Sequence, residues 1–535
     1  MVNPLQELNS KNFETDQDRN KSLESVANAE GKCGKVYQQL TRKTKCLADE
    51  TYKAQFDWRV RVGGMRGFQE LLLPVFHPVY GVPYIPSSSL KGAILAQAKK
   101  HANNGEINLD EVKRILGDIE GGIGTVQVLD AFPTEPCLSV DMANPQWSWK
   151  ENHVQYNPVP HPLLSMEEPE ILIGLVSTSR GRYQEQKNQD LQTVKGWLKQ
   201  ALNAGIGSRV SAGYGRTQVK ANLPYSSTHH FQFYSQGMFG ASNQDKEFRP
   251  VALRGILRYW FRAIALGLYN NATAQQFENQ LFGQLSQEGS VRLGVELTEE
   301  DIGKRNDPYF CQGNILIEAK TEEHHNVIKQ TLLLASHLGG IGRGSRRPLH
   351  WNHPRLRGCL WEFPNFILPG DEVEWSAFIE DTLDSFREVY PEGKPDQHPL
   401  IVSVQEKGKT VQRRCQDILN NDTAIYIFPS PELKYPEAVN NWNSEGNQRR
   451  VIGEGLRLLY SDNRFKGETK NKQTNYKEGN RNVGGKLGIP SYVWIQSNFP
   501  DNDEPYQVIS VFGAEHPQRK QFIRALPDDA ICVYP

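Results

Sequence analysis

Pro83-Tyr84-Ile85-Pro86-Ser87-Ser88-Ser89-Leu90-Lys91-Gly92-Ala93-Ile94 runs from an extended, proline-punctuated stretch into the start of a helix. Proline keeps its predecessor out of the helical region. The serines supply N-cap hydroxyls, and Leu90, Ile94, Leu95 and Ala98 continue as a helical apolar face through Lys100. The second half of the chain repeats the order in Arg249-Pro250-Val251-Ala252-Leu253-Arg254-Gly255-Ile256-Leu257: leucine, basic residue, glycine, aliphatic. Each copy is followed by a glycine-rich loop. The first is Gly205-Ile206-Gly207-Ser208-Arg209-Val210-Ser211-Ala212-Gly213-Tyr214-Gly215-Arg216; the second is Gly339-Gly340-Ile341-Gly342-Arg343-Gly344-Ser345-Arg346-Arg347. Same order, similar spacing and shared chemistry read as a duplicated module built to hold a polyanion.

The chain around these signatures has 535 residues, 38% hydrophobic content and a mean hydropathy of -0.59. That length implies two to four domains. No apolar run reaches ~18 residues, so no membrane span is expected. The start, Met1-Val2-Asn3-Pro4-Leu5-Gln6, lacks a basic region followed by an apolar core. The expected location is therefore the cytoplasm. Seven cysteines (33, 46, 137, 311, 359, 415, 532) form no Cys-x-x-Cys and read as reduced thiols. His350, His353 and Cys359 cluster in sequence without a second ligand group, so they read as loop residues and no metal or cofactor is expected.

Net charge is -1, so the whole molecule does not announce a nucleic-acid partner; its charge distribution does. Segment 249–262 carries Arg249, Arg254, Arg258 and Arg262 without an acid. Segment 341–357 carries Arg343, Arg346, Arg347, Arg355 and Arg357, and segment 205–220 carries Arg209, Arg216 and Lys220, again without one. Local stripes on a neutral body are the footprint of a specific groove.

The pattern of elements is α+β, with helices on one face of antiparallel sheets. Residues 1–50 read as one or two weakly packed helices. Strands are expected at 56–62 (ended by Gly63-Gly64), 125–131, 171–176, 231–233, 291–295 and 314–319, with a further strand leading from the first glycine loop through Val219. Helices are expected at 87–100, 194–204, 253–268 and 327–338. Trp375 to Ile379 reads as another strand, 381–390 and 447–460 as helical, and 464–486 as a mobile loop rich in Lys, Asn and Gly. Asn222 to Ser227 is the expected linker. This gives an N-terminal helical extension (1–50), a first module (51–222), a second (223–365) and a remaining lobe (366–535).

A helix N-terminus offers unpaired N–H groups and partial positive charge, so Ser87, Ser88 and Ser89 with Lys91 make a phosphate seat. Arg254, Arg258 and Arg262 fall along one helix face. Tyr259, Trp260 and Phe261 interleave with them, and Trp260 and Phe261 read as core. The glycine loops let a sugar-phosphate backbone approach, while Arg209, Arg216, Arg343, Arg346 and Arg347 neutralise it. Neither loop fits a Walker or dinucleotide fingerprint. Signals for catalysis are thin. Ser88-x-x-Lys91 lacks the companion motifs of penicillin-recognising enzymes. Asp130 and Asp141 are candidate bases or metal ligands without a supporting cluster, and His229-His230 reads as an exposed pair.

These residues resemble the RAMP superfamily of CRISPR-associated RNA-binding proteins. Segments 83–94 and 205–216, with Val128-Leu129-Asp130-Ala131-Phe132-Pro133, Val140-Asp141-Met142 and Asn157-Pro158-Val159-Pro160 between them, resemble subunit six of the type III-B Cmr effector complex. Segment 249–262, Leu281-Phe282-Gly283 and Ser336 to Arg347 resemble subunit one. The chain is thus similar to a fusion of the two, about 40–222 with about 225–535. It departs from the family at Ser87, where glycine is usual, and at Pro348-Leu349-His350, which follows the Arg-Arg pair.

The resemblance implies tandem ferredoxin-like (RRM-like) modules that hold the 3′ portion of a guide RNA (crRNA) and help capture target RNA in antiviral defence. The partners it implies are the other Cmr/RAMP subunits. Carried over by position, Ser87, Ser88, Ser89, Lys91, Gly205, Gly207, Ser208, Arg209, Tyr214 and Arg216 would contact RNA in the first module. Arg249, Arg254, Arg258, Arg262, Gly340, Gly342, Arg343, Arg346 and Arg347 would do so in the second. In the family these subunits do not cleave target, so no catalytic residue is expected. A RAMP-type endoribonuclease acting through Asp130 or Asp141, and a scaffold that contacts proteins only, stand as the alternatives.

Overall fold

The computed structural model describes residues 2–11, 15–63, 71–119, 122–183, 185–238, 240, 246–284, 287–303, 307–406, 408–439, 441–442, 453–470 and 476–535. Gly64, the start of the expected helix at 447–460, and residues 471–475 of the expected loop lie outside them. Contacts divide the chain into one unit of residues 1–144 and 160–222, and another of 145–159 and 223–535.

The first unit begins with three helices, α1 (Pro4–Asn9), α2 (Asp16–Glu30) and α3 (Gly34–Leu47). They are well packed, contrary to the sequence expectation. Leu23, Val26, Glu30, Cys33, Tyr37, Leu40 and Thr44 are all buried, and their alternating spacing of three and four makes one continuous helical face. Glu30 serves this interface through its hydrogen bonds: its carboxyl group accepts the backbone N–H of Cys137 at 2.8 Å and the hydroxyl of Tyr37.

The sheet that follows contains β1 (Glu50–Gln55), then β2 (Arg59–Val60) in a second sheet, with α4 (Ser87–Asn103), α5 (Leu109–Leu116), β3 (Val126–Val128), β4 (Leu138–Ala143), β5 (His161–Glu167), β6 (Glu170–Ser177) and α6 (Lys187–Ala204). β1 pairs antiparallel with β6, and β6 with β3. Leu90, Ile94 and Ala98 of α4 share a core with Leu191, Val194 and Leu198 of α6 over that sheet. The expected strand at 56–62 is broken, because Asp57-Trp58 bends the chain and sends Arg59–Val60 to pair with β5 instead. The expected strand through Val219 does not form either. Gly205, Gly207, Arg209, Gly213 and Gly215 all take positive φ within the loop, and residues 216–220 after it join no sheet.

In the second unit β7 (Tyr225–Ser235), α7 (Pro250–Leu268), α8 (Asn271–Phe282), β8 (Val291–Asp301), β9 (Tyr309–Ala319), α9 (Glu322–Leu338) and β10 (Cys359–Glu362) form a sheet of order β8-β9-β7-β10. β7 begins within the expected linker. All neighbours are antiparallel. With respect to the chain this order is second, third, first, fourth, the ferredoxin-like arrangement. It recurs in the C-terminal part. There α10 (Glu372–Val389) is followed by β11 (Thr423–Pro429), α11 (Gly453–Ser461), β12 (Val493–Asn498), β13 (Tyr506–Phe512), α12 (Pro517–Ile523) and β14 (Ile531–Tyr534), with order β12-β13-β11-β14.

α10 replaces the strand expected at Trp375 to Ile379. Asp371 caps it by accepting from Val373 and Glu374, and Trp375, Phe378, Ile379, Leu383 and Phe386 lie on its buried face. Phe386 stacks on Phe261 of α7, at 5.2 Å between ring centroids, within one core common to both sheets. The expected mobile loop at 464–486 is instead rooted by the fully buried Phe465 and Val483, and Thr469–Lys470 pairs with Lys477–Glu478 as a hairpin. The sheet face opposite α7 and α9 is covered by the chain itself: Tyr435, Val439 and Trp442 pack on Tyr234, Trp351 and Leu360. That face therefore offers no open aromatic platform of the RRM kind. All seven cysteines are free thiols. Among the described residues no helix is long and apolar enough to cross a membrane.

Candidate nucleic-acid interface

The two signatures of the first unit meet. Ser89 and Ala93 on α4 face Gly205, Ile206, Gly207 and Ser208 across a cavity of about 540 Å³ floored by Val62 and Val75. The glycine loop is held there by backbone bonds to the 59–61 segment: Ser208 N–H donates to the Arg61 carbonyl at 2.9 Å, and Gly215 N–H to that of Arg59 at 2.8 Å. Only glycine suits position 207. Its φ is +82°, and a Cβ would lie 2.5 Å from the Arg61 carbonyl oxygen.

At the start of α4 the serines are not hydroxyl caps. Pro86 is the N-cap residue, and the Ser87 N–H donates to the Asp130 carboxylate at 2.7 Å. The carboxylate sits where a phosphate would complete the helix start. Ser88, Ser89 and Lys91 remain exposed, with Ser89 lining the cavity.

Below the loop, Arg209 takes a left-handed φ of +64° and lies over the Tyr214 ring, 5.4 Å from its centroid. Non-glycine residues hold this geometry at a cost of roughly 1 kcal/mol, which the surrounding hydrogen bonds offset. Tyr214 itself is fully buried. Its hydroxyl donates to Asp141, and its ring meets Trp58 edge-on at 4.7 Å. Arg61 is buried close by, and burial together with the charge of Arg209 holds its pKa below the usual arginine range. Arg216 is likewise buried. The expectation that Tyr214 and Arg216 contact RNA is corrected for their side chains: both are inside, and they support the loop. Arg61 was missed by the sequence reading; its signal was the alternation of Arg59-Val60-Arg61-Val62.

The second unit uses its arginines differently. Arg258 donates to Glu278 of α8 through Nε at 2.7 Å and Nη2 at 2.6 Å, and Arg262 lies 3.3 Å from the same carboxylate. Glu278 is fully buried and also accepts from the Trp149 indole at 2.6 Å. Burial alone would raise its pKa, but Arg262 and Arg258 hold it below the usual carboxylate range. Arg254 donates to the Phe282 carbonyl at the end of α8, and burial pushes its pKa down to about 10. The row read as an open phosphate clamp therefore fastens α7 to α8. Arg262 is out of reach of any outside anion, as is Arg249, which is buried beside Glu247 at 3.3 Å. Arg254 and Arg258 keep partly exposed edges.

The loop 339–347 is a fastener too. Gly340 has no room for a Cβ, which would fall on the Cys359 sulfur, and Gly342 takes φ +73°. Arg346 donates to buried Asp417 at 2.9 Å and to the Ser491 carbonyl at 2.7 Å, with its guanidinium 4.4 Å over the Trp494 ring. Arg347 donates to the Val493 carbonyl at 2.7 Å. Both join the loop to β12 and its approach. Arg343, between the two left-handed glycines, is half-buried at the turn.

The other candidates are occupied. Asp141 is fully buried under Tyr214. His229 and His230 point to opposite faces of β7; His229 and His325 both hydrogen-bond the Ser227 hydroxyl at 2.8 Å. His350 is buried on the Pro348 carbonyl. Among the described residues no group of three or more His, Cys, Asp or Glu could hold a metal ion.

The fold and these loops are those of a known family. The RAMP superfamily pattern matches residues 57–218 and 236–347, more than half of the chain. The chain belongs to the RAMP superfamily. It is 32% identical over 71 residues to the CRISPR system Cmr subunit Cmr1-2 of Pyrococcus furiosus; that stretch is 13% of this chain and 37% of the relative, so the chain spans little more than a third of the relative it matches. The crystal structure of Cmr1 from Pyrococcus furiosus aligns over 58% of this chain and 99% of its own length, at 14% identity and a TM-score of 0.34. That of Cmr6 from the same organism aligns over 32% and 97%, at 21% identity and a TM-score of 0.20.

Proposed function

We propose that this chain is an RNA-holding subunit of a type III-B CRISPR effector of the Cmr kind, in which one polypeptide does the work of two adjacent RAMP subunits. It grips the 3′ portion of the crRNA by backbone and shape and helps capture target RNA, while base pairing supplies sequence recognition.

One observation carries the reading. Gly92 and Gly255 occupy the same place, six residues into α4 and α7, and both are exposed. A Cβ built on either meets nothing within 4 Å. An exposed helical glycine costs roughly 0.5–1 kcal/mol relative to alanine, and nothing in the fold requires it at either position. A ligand backbone pressed against the helix accounts for both. In the first unit the same turn of the helix carries Ser89, which lines the cavity with the Gly205–Ser208 backbone, and the exposed Lys91.

The subunit is non-catalytic in this reading. Asp130 is committed to the Ser87 N–H and Asp141 is sealed under Tyr214. The test is cleavage of target RNA by the assembled complex carrying Asp130→Ala and Asp141→Asn. Unchanged cutting is expected; loss of cutting with normal RNA loading would transfer the role to the endoribonuclease alternative.

A further inference from the structure

Residues 31–47 carry Lys32, Lys35, Arg42, Lys43 and Lys45 and no aspartate or glutamate. Tyr37, Leu40 and Thr44 bury one face of α3; Lys35, Arg42, Lys43 and Lys45 stand exposed on the rest, and Lys32 is exposed in the turn before it. Among the described residues none of the five has a carboxylate within ion-pair distance. Glu7 and Glu170, whose charges reach Lys32 and Lys45, are taken by Lys11 at 2.7 Å and Lys53 at 2.8 Å.

A solvated helix face gains from mixing signs at three- and four-residue spacing, and like charges there oppose each other. This face forgoes that gain on a helix held rigidly to its unit. Five uncompensated cations on a chain of net charge -1 form a local anion-attracting strip. From Lys35 to Lys45 it extends about 15 Å, at 1.5 Å per helical residue.

Aromatic rings border the strip. Lys43 donates to the Tyr80 hydroxyl at 3.2 Å and lies 5.8 Å from the centre of that ring. His77 lies 4.6 Å from Tyr80 and 5.1 Å from Tyr84, measured between ring centroids, and all three are half-buried with accessible edges. The 77–84 loop leads directly into the start of α4. A cationic track flanked by rings that can stack on bases is the chemistry of a single-strand binding surface. The rings pack inward on Phe132, and their accessible edges add a stacking contact that an acidic protein would not use.

We infer that α3 and the Tyr80–Tyr84 loop form a second contact surface for single-stranded RNA, with phosphates along Lys35, Arg42, Lys43 and Lys45 and a base against Tyr80. The inference rests on the RNA-holding function proposed above, and it extends that function to the N-terminal helices, outside the residues that match the superfamily.

The test uses the full chain and an unstructured oligouridylate. Affinity is measured against salt for the wild type, for Lys35→Gln/Arg42→Gln/Lys43→Gln/Lys45→Gln, and for Lys91→Gln/Arg209→Gln on α4 and the first glycine loop. Each single-strand phosphate contact contributes about 0.7 to the slope of log affinity against log salt, so the α3 variant is expected to lose roughly 2–3 of that slope. Tyr80→Leu is expected to weaken binding about tenfold and leave the slope alone, as stacking does. An α3 variant that binds like the wild type, while the Lys91→Gln/Arg209→Gln variant is weakened, overturns this inference and leaves the proposed function intact. Loss of a partner subunit with full RNA affinity overturns it in favour of an acidic protein surface. No RNA binding by the wild type at any salt sinks both.

Discussion

The Ser87 N–H donates to the Asp130 carboxylate at 2.7 Å, so the first turn of α4 is capped by a side chain that the sequence carries beyond the next helix. The anion in that seat belongs to the protein, which leaves Ser88, Ser89 and Lys91 for an outside ligand. Asp130→Ala is expected to lower stability by about 1 kcal/mol, the usual worth of an N-cap. It should not weaken RNA binding, because a competing negative charge is removed. Denaturant unfolding and filter binding on the same preparation check both statements.

Gly92→Ala and Gly255→Ala are expected to move stability and affinity in opposite directions. Each should stabilise the free chain by roughly 0.5–1 kcal/mol, since the added methyl meets open space. Each should weaken RNA binding, since that space is where the ligand backbone lies. A stabilised variant with unchanged affinity would remove the helix face from the interface.

Charges that fasten the fold and charges left for a ligand separate by the same two measurements. Glu278→Ala leaves Arg262 buried without its carboxylate, a loss of about 3–5 kcal/mol. Lys91→Gln should leave unfolding unchanged and reduce the salt slope by about 0.7.

Glu362 gives the second unit a pH dependence. Burial, with Asp501 and Glu437 nearby, pushes its pKa up to about 7, despite the hydrogen bond from Tyr435. The folded state therefore holds a proton that the unfolded chain releases near pH 4.5. The stability this confers is complete below about 4.5 and is lost as pH rises through about 7. Glu362→Gln should flatten that decline and unfold at higher denaturant than the wild type at pH 8. An identical pH profile for both proteins would contradict the assignment.

The sequence showed the strands at 126–128, 170–177, 291–301 and 309–319, part of 225–235, and not those at 50–55, 138–143, 161–167 and 359–362 or the last sheet. α7 was readable because Leu253, Leu257, Trp260 and Ile264 repeat at helical spacing. α10 was misread because Trp375-Ser376-Ala377-Phe378-Ile379 has the composition of a strand in a short window. Only the longer series through Leu383 and Phe386, started by Asp371, shows the helix. The glycine loops and the α4 start were found, and the structure joins the first loop to α4 in one cavity. The arginine row was found but misassigned, since its partner Glu278 sits on the next helix. Pairing between elements is what one sequence does not display. Packing of the N-terminal helices was missed because the series from Leu23 to Thr44 includes Glu30, whose burial depends on backbone donors at Cys137 and Leu138.

The central claim is that this chain holds guide RNA. Its most direct test is to purify the tagged chain from its native host and sequence the RNA that comes with it. The account predicts short RNAs sharing a repeat-derived 5′ end, accompanied by other RAMP subunits and released only at high salt. Absence of RNA, or a heterogeneous population lost at moderate salt, would contradict it and favour the protein-only scaffold.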